Sequence, residues 1–233
     1  MKLLALDTST EACSVALQQD SEVFSEFALT PREHTKLILP MLERVLAQAE
    51  TSLAEVDALV VGLGPGAFTG IRIGIGVAQG IAMAMDKPII PVSTLAALAQ
   101  QAYQHCGATQ VLAALDARMG EVYWGQYVLV NGLMQLQAEE LVCKPQDAPI
   151  PAGKHWFAVG HGWSAYTAVL TARFGSILRE TNADWLPAAE FMLPLAQADW
   201  LAGKAVTPEL SQPIYLRNKI ALTTQERAAQ TKL

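Results

Sequence analysis

The sequence has few cysteines, histidines and charged residues, and it has no long uncharged apolar run. Its three cysteines, Cys13, Cys106 and Cys143, are scattered and form no CxxC pair, which argues against a disulfide framework or a zinc site. No two of its four histidines are three or four residues apart, the spacing of a metal-binding helix. His34 is expected on the surface or in a helix cap.

Composition limits the classes of partner and the location of the chain. Charged residues make up 16% of the 233 residues, hydrophobic residues make up 52%, and the formal net charge is −6. An acidic chain repels phosphate backbones, so direct binding of nucleic acid by this chain alone is not expected. No signal peptide or stretch of about 18 uncharged apolar residues occurs, which predicts a cytoplasmic protein with no membrane segment. The apolar excess indicates surface reserved for a protein partner.

The first 107 residues predict a sheet flanked by helices. Strands are predicted at 2–6, 12–18, 22–29, 58–61 and 89–92. Helices are predicted at 31–49, 68–85 and from Ser93 to Tyr103. The first of these helices is expected to begin with a capping box formed by Thr30 and Glu33.

The beginning of the chain has a counterpart 109 residues later, from Leu3 to Leu112. Residues 3–7 (LLALD) and 112–116 (LAALD) are apolar strands ending in aspartate, and each precedes a turn and two further strands. The repeat predicts an α/β fold of two related lobes, 1–107 and 108–233, the second reduced, although a chance match over so short a segment is the alternative.

The second lobe should contain a strand near 156–159 and helices from about 164 and near 188–202. The tail at 213–218 is a candidate for packing back on the N-terminal lobe. Residues beyond Asn218 are predicted to fray.

The glycine-rich segment 62–76, GLGPGAFTGIRIGIG, invites comparison with phosphate-binding loops. Gly64 and Gly70 have the wrong spacing for a P-loop, and Ile71 replaces its lysine. In the dinucleotide-binding pattern GxGxxG, Thr69 stands at the position of the last glycine. Because each glycine inside a helix costs about 1 kcal/mol relative to alanine, these glycines indicate close packing of a buried helix start.

The helix predicted at 68–85 is apolar around most of its circumference, which predicts burial on more than one side. One side should face the lobe's own sheet, and another should face a second protein chain. The predicted interface comprises Leu37, Met41, Val45, Arg72, Gly74, Ile75, Gln79 and Met83.

Asp7 and Asp116 end the two matching strands. In two-lobed ATPases such aspartates hold magnesium or its waters, next to glycine-rich turns that face the phosphates. Here the turn after Asp7 has no glycine and the turn after Asp116 has one, so the pair predicts a vestigial nucleotide site. Two alternatives remain: an independent small ATPase or kinase, and aspartates that merely bond their own turns.

Five segments together resemble the bacterial TsaB family, also called YeaZ: LALDTSTEACSVAL, PREHTKLILPML, GLGPGAFTGIRIGIGVAQG, LDARMGEVYW and PIYLRN. The resemblance spans nearly the whole chain and is weakest between about 130 and 210. It implies two RNase-H-like lobes of the actin/sugar-kinase/Hsp70-like superfamily. It also implies a role in threonylcarbamoyladenosine formation at the tRNA adenosine beside the anticodon, in tRNAs reading ANN codons.

The resemblance further implies a non-catalytic subunit. In this family TsaB supports its paralogue TsaD, which transfers the threonylcarbamoyl group, and the ATPase TsaE joins them. TsaD takes its metal from a histidine motif, at whose paired histidines this chain has Thr94 and Leu98. We therefore expect no metal, no cofactor and no support for a peptidase. The family's helical interface implies a heterodimer with TsaD, and a homodimer when the chain is alone.

Overall fold

The first sheet has five strands in the order β3-β2-β1-β4-β5 in this computed structural model, which describes residues 1–217. The predicted frayed end and Asn218 of the tail lie outside the described residues. The strands are β1 (Lys2–Asp7), β2 (Ala12–Gln19), β3 (Glu22–Leu29), β4 (Ala58–Gly62) and β5 (Ile89–Val92). β1, β2 and β3 are antiparallel neighbours, whereas β4 and β5 run parallel to β1. All five agree with the predicted strands.

The second sheet repeats this order as β11-β10-β6-β7-β8, with β9 also paired to β7. Its strands are β6 (Gln110–Arg118), β7 (Glu121–Val130), β8 (Leu133–Leu136), β9 (Leu141–Cys143), β10 (Trp156–Val159) and β11 (Leu178–Asn182). β6, β7 and β8 are antiparallel neighbours, and β10 and β11 run parallel to β6. β6 therefore takes the place that β1 has in the first sheet. Neither β9 nor β11 was predicted.

Six α-helices connect or cover the sheets in the described part of the chain. They are α1 (His34–Gln48), α2 (Phe68–Met85), α3 (Thr94–Cys106), α4 (Gly162–Ala165), α5 (Thr167–Phe174) and α6 (Leu193–Leu201). The bounds of α2 match the prediction. Ser93, the first residue of the third predicted helix, is the N-cap of α3, and its Oγ accepts the amides of Leu95 and Ala96.

The predicted capping box of α1 is wrong. The helix begins at His34, three residues later than predicted, because Arg32 has a φ of 69° and Glu33 makes no capping hydrogen bond. The expected surface role of His34 is wrong as well, since the side chain is 8% exposed. Its Nε2 donates to the carbonyl of Thr10 at 2.9 Å, which ties the start of α1 to the β1–β2 turn.

Helices cover both faces of the first sheet. α1 and α2 pack on one face, where Leu4, Leu6 and Leu59 contact the helical core residues. The other face is covered by α6 and a short helical turn, Ala189–Met192. Residues 189–201 therefore pack on the first sheet, although the division of the sequence at residue 107 assigned them to the second lobe. α3 packs against β6 of the second sheet.

Candidate functional site

Three glycines bring α2 onto the β1–β2 turn of the same lobe. A Cβ atom at Gly66 would lie 2.3 Å from the carbonyl oxygen of Ser9, and one at Gly70 would lie 2.0 Å from that of Thr8. At Gly74 it would lie 2.6 Å from Thr8 Oγ1, which donates a hydrogen bond of 2.7 Å to the Gly70 carbonyl. The close-packing interpretation of these glycines is confirmed, and the surface they approach is the chain's own turn.

The next two glycines of α2 have a different environment. Outside the helix's own backbone, a Cβ atom at Gly76 or Gly80 would meet no described atom within 4 Å, so these positions are open within residues 1–217. Phe68 and Met83 on the same helix are 48% and 62% exposed. We call the exposed side of α2 formed by these four residues the open face. Glycines cost helix stability, and among residues 1–217 no side chain fills the space beside Gly76 and Gly80 in return.

Half of the predicted interface residues lie in the core. Met41 is 2% exposed, Val45 is fully buried, and Ile75 is 4% exposed, all within the cluster beneath α1 and α2. Gly74 faces Thr8. These four residues cannot touch a partner on the folded surface, so this part of the interface prediction is corrected. The helical periodicity that selected them also marks the side facing the sheet.

The polar strip of α2 faces the chain's own C-terminal segment. Arg72 Nε donates to the hydroxyl of Tyr215 at 3.0 Å, and its guanidinium lies 3.8 Å from the ring centroid of Phe68. Gln79 Nε2 donates to the carbonyls of Pro208 and Ser211 at 2.9 and 3.0 Å. Of the other predicted interface residues, Leu37 is half-buried and Met83 is exposed.

Asp7 is enclosed at the carboxyl end of β1, the central strand of the first sheet. Its side chain is 1% exposed, and Oδ1 accepts hydrogen bonds from the amide and hydroxyl of Ser9 at 3.0 and 2.8 Å. Oδ2 lies against Gly62 and has no hydrogen-bond partner among the described residues. Burial raises the pKa of Asp7 to about 6. The carboxyl group is therefore directed into the protein and bonds its own turn.

Asp116, by contrast, lines a cavity of about 240 Å³ between the two sheets. Its Oδ1 accepts from the Arg118 amide at 2.9 Å and from the Tyr166 hydroxyl at 3.1 Å, while Oδ2 pairs with the Arg118 guanidinium at 3.1 Å. Both carboxylate oxygens thus have partners, and Asp7 does not line the same cavity. The structure does not bring the two predicted aspartates together on one open site.

His161 is a cavity residue that the sequence did not single out. Its Nδ1 accepts the Asp116 amide at 2.9 Å, which leaves the ring proton on Nε2, 3.7 Å from a carboxylate oxygen of Glu11. Burial lowers the pKa of His161. The charges of Glu11 and Asp116 act in the opposite direction but are weaker, so the pKa is lowered overall. A lone histidine after a strand carries no local spacing signal, so only the fold identifies it.

The C-terminal segment joins the two sheets across this cavity. The amide of Ile214 donates to the carbonyl of Leu63 at 3.0 Å, next to α2. Arg217 pairs with Glu121 and donates to the carbonyl of Ala117 at 3.1 Å, on the β6–β7 turn. Residues 213–217 therefore contact both lobes.

The two positions that the family resemblance compares with TsaD's paired histidines lie inside the protein. Thr94 and Leu98 of α3 are fully buried. Within residues 1–217, no three His, Cys, Asp or Glu side chains are grouped closely enough to hold a metal ion.

α2 is also the one helix, in the part of the chain described here, that is long and apolar enough to cross a membrane. The core helix of a water-soluble protein meets the same criterion, so this is weak evidence. Six of its residues face the chain's own core: Gly70, Ile71, Gly74, Ile75, Ala78 and Ala82.

Comparison with known proteins gives consistent matches. A family model described as "TsaD: tRNA N6-adenosine threonylcarbamoyltransferase" matches residues 25–229. The tRNA threonylcarbamoyladenosine biosynthesis protein TsaB of Escherichia coli strain K12 is 48% identical over 95% of this chain and 96% of its own length. TsaB of Haemophilus influenzae is 43% identical over 94% of this chain and 95% of its own.

Solved structures agree with these matches. The structure of YeaZ from Pseudomonas aeruginosa superposes with a TM-score of 0.88 at 46% identity, covering 92% of this chain and 99% of that one. A second structure from the same organism, described as an uncharacterized protein with similarity to peptidase YEAZ, also has a TM-score of 0.88, at 46% identity over 93% and 99% of the two chains.

Proposed function

Because this chain belongs to the TsaB family, whose named members are tRNA threonylcarbamoyladenosine biosynthesis proteins, we propose that it supports this modification as a non-catalytic subunit. In this proposal it assembles with TsaD in the cytoplasm, TsaE joins the assembly, and TsaD performs the transfer. The modified position is the adenosine beside the anticodon of tRNAs reading ANN codons. Alone, the chain forms a homodimer through the same surface.

The open face of α2 is the observation that carries this proposal. It combines two glycines that no described residue covers with the exposed side chains of Phe68 and Met83. Glycines four residues apart allow the backbone of a facing helix to approach closely, and exposed apolar side chains gain by burial in an interface. We therefore place the TsaD contact on Phe68, Gly76, Gly80 and Met83, with half-buried Leu37 at its margin.

Two features of the interior support a non-catalytic role. Thr94 and Leu98 are buried and lack the nitrogen ligands expected at those positions in TsaD. Asp7 is enclosed and Asp116 is engaged by Arg118 and Tyr166, which fits a nucleotide site that has lost its function. The shared strand order of the two sheets is what a duplicated ancestral lobe would produce, with Asp7 and Asp116 at equivalent strand ends.

Light scattering of the purified chain mixed with TsaD from the same organism tests the proposal. Gly80→Glu and Met83→Glu place a charge on the open face, and the Cβ atom added at Gly80 would meet no described atom within 4 Å outside the helix's own backbone. We expect each to weaken the complex by roughly tenfold or more, because a desolvated, unpaired carboxylate is costly in an interface.

The matched control is Val169→Glu, which places the same charge at a 41% exposed apolar position on α5. It should leave the complex unchanged. Complexes of wild-type strength with both open-face variants would refute the proposed contact.

A further inference from the structure

A second cavity, of about 590 Å³, lies where β5, β8 and α6 meet and shares no lining residue with the cavity beside Asp116. Most of its wall is apolar, including Val92, Leu133, Met134, Leu195 and Ala198. Two carboxylates line it, those of Asp199 and Glu140, and only Asp199 has a lysine partner among the described residues.

The Glu140 carboxylate is held in a fixed orientation. Its Oε1 accepts short hydrogen bonds from the hydroxyls of Ser93 and Tyr127. Ser93 Oγ already accepts two amides at the start of α3, so its own proton is free to be donated to Glu140. Tyr127 is 1% exposed, and burial together with Glu140 raises its pKa well above 10, which keeps its hydroxyl a donor.

The second oxygen of this carboxylate lacks a counter-ion. Within residues 1–217, Glu140 Oε2 accepts no hydrogen bond, and no lysine or arginine nitrogen lies within the 4.0 Å of an ion pair. Lys204 also lines the cavity but pairs with Asp199 at 2.7 Å. Burial raises the pKa of Glu140, since a charge removed from water is costly unless it is paired.

We propose that this cavity binds a small aliphatic cation, a primary amine or guanidine on an alkyl chain, with its charged group on Glu140 Oε2. The apolar wall would cover the alkyl chain, as in ligand pockets that combine an apolar lining with one orienting polar group. A hard metal ion fits less well, because it prefers roughly six oxygen ligands and the two hydroxyls direct their protons at the carboxylate.

Titration calorimetry of the full chain with agmatine tests this inference, which does not depend on the proposed function. We expect binding at one site, weakened at least about tenfold by Glu140→Gln, because a hydrogen bond to a charged group is lost. Glutamine can still accept from Ser93 and Tyr127, so this variant should fold. Glu139→Gln, an exposed neighbour, is the matched control and should bind as the wild type does.

Ala198→Phe provides a second variant that fills the cavity from α6 and leaves Glu140 in place. This variant should also abolish agmatine binding. The midpoint of thermal unfolding is measured for each variant and compared with that of the wild type. No heat of binding to the wild type at about 10 mM agmatine, or equal affinity in Glu140→Gln, would overturn the proposal. Assembly with TsaD should be the same in the presence of agmatine, which separates this result from the test of the partner surface.

Discussion

The same substitution at two glycines of α2 should change stability in opposite directions. At Gly70, a methyl group would lie 2.0 Å from the backbone carbonyl of Thr8, whereas at Gly80 it would meet nothing within 4 Å. We therefore expect Gly70→Ala to destabilise the protein and Gly80→Ala to stabilise it.

The magnitudes follow from the contacts. Ordinary contact begins at 3.4 Å, so at Gly70 the helix or the turn must move by 3.4 − 2.0 = 1.4 Å. Overpacking of this kind costs about 1–3 kcal/mol. The Thr8–Gly70 hydrogen bond adds about 1 kcal/mol when it is lost, and the helix propensity of alanine returns about 1 kcal/mol. The net loss at Gly70 is about 1–3 kcal/mol, against a gain of up to about 1 kcal/mol at Gly80.

Urea denaturation followed by circular dichroism measures both effects as shifts in the transition midpoint. The slope of the free energy against urea should be unchanged in both variants, since neither alters the surface exposed on unfolding. A Gly70→Ala variant as stable as the wild type would refute the packing assigned to the glycine segment. Destabilisation by Gly80→Ala would show that the open face is covered within the chain itself.

Three further predictions concern the aspartates and the tail. The pKa of Asp7 rises from 3.8 to about 6 on folding, so its protonation stabilises the fold at low pH and this is lost as pH rises through 6. Between pH 3 and 7, the free energy of unfolding of the wild type should fall by on the order of 3 kcal/mol relative to that of Asp7→Asn, measured by denaturation at each pH. A difference between the two proteins that stays constant with pH would contradict this. Arg217→Ala should speed amide exchange in the β6–β7 turn, measured by mass spectrometry, because it removes the bonds to Glu121 and Ala117; unchanged exchange would mean that the tail does not hold the turn. Calorimetry with ATP and magnesium should detect no turnover and no binding tighter than about 10 μM to the isolated chain, and the opposite result would favour an independent ATPase.

Periodicity identified most of the fold because its signals are local. Alternation and apolar runs marked the five strands of the first sheet. The Asn131-Gly132 pair, with φ of 51° and 83°, forms the hairpin between β7 and β8, a turn for which this dipeptide is a strong local signal. β11 was missed because its residues, LRETN, are mostly exposed and lack an apolar pattern. Its position as an edge strand beside β10 depends on tertiary pairing.

The candidate surface was harder to predict for a physical reason. Helical spacing shows which residues share a face, but it does not show whether that face meets the chain's own sheet or another protein. Val45 and Ile75 were therefore assigned to a partner and lie in the core. Gly76 and Gly80 are four residues apart, a spacing that places them on one side of the helix, yet only the structure shows that they are open within residues 1–217.

Mass spectrometry of tRNA nucleosides is the most direct test of the central claim, that the chain supports modification by assembly and supplies no catalytic group. Cells depleted of this protein would be complemented with the wild type, Met83→Glu or Asp116→Ala. We predict that threonylcarbamoyladenosine is restored by the wild type and by Asp116→Ala, and that it stays low with Met83→Glu. Loss of the modification in Asp116→Ala, with the TsaD complex intact, would contradict the account.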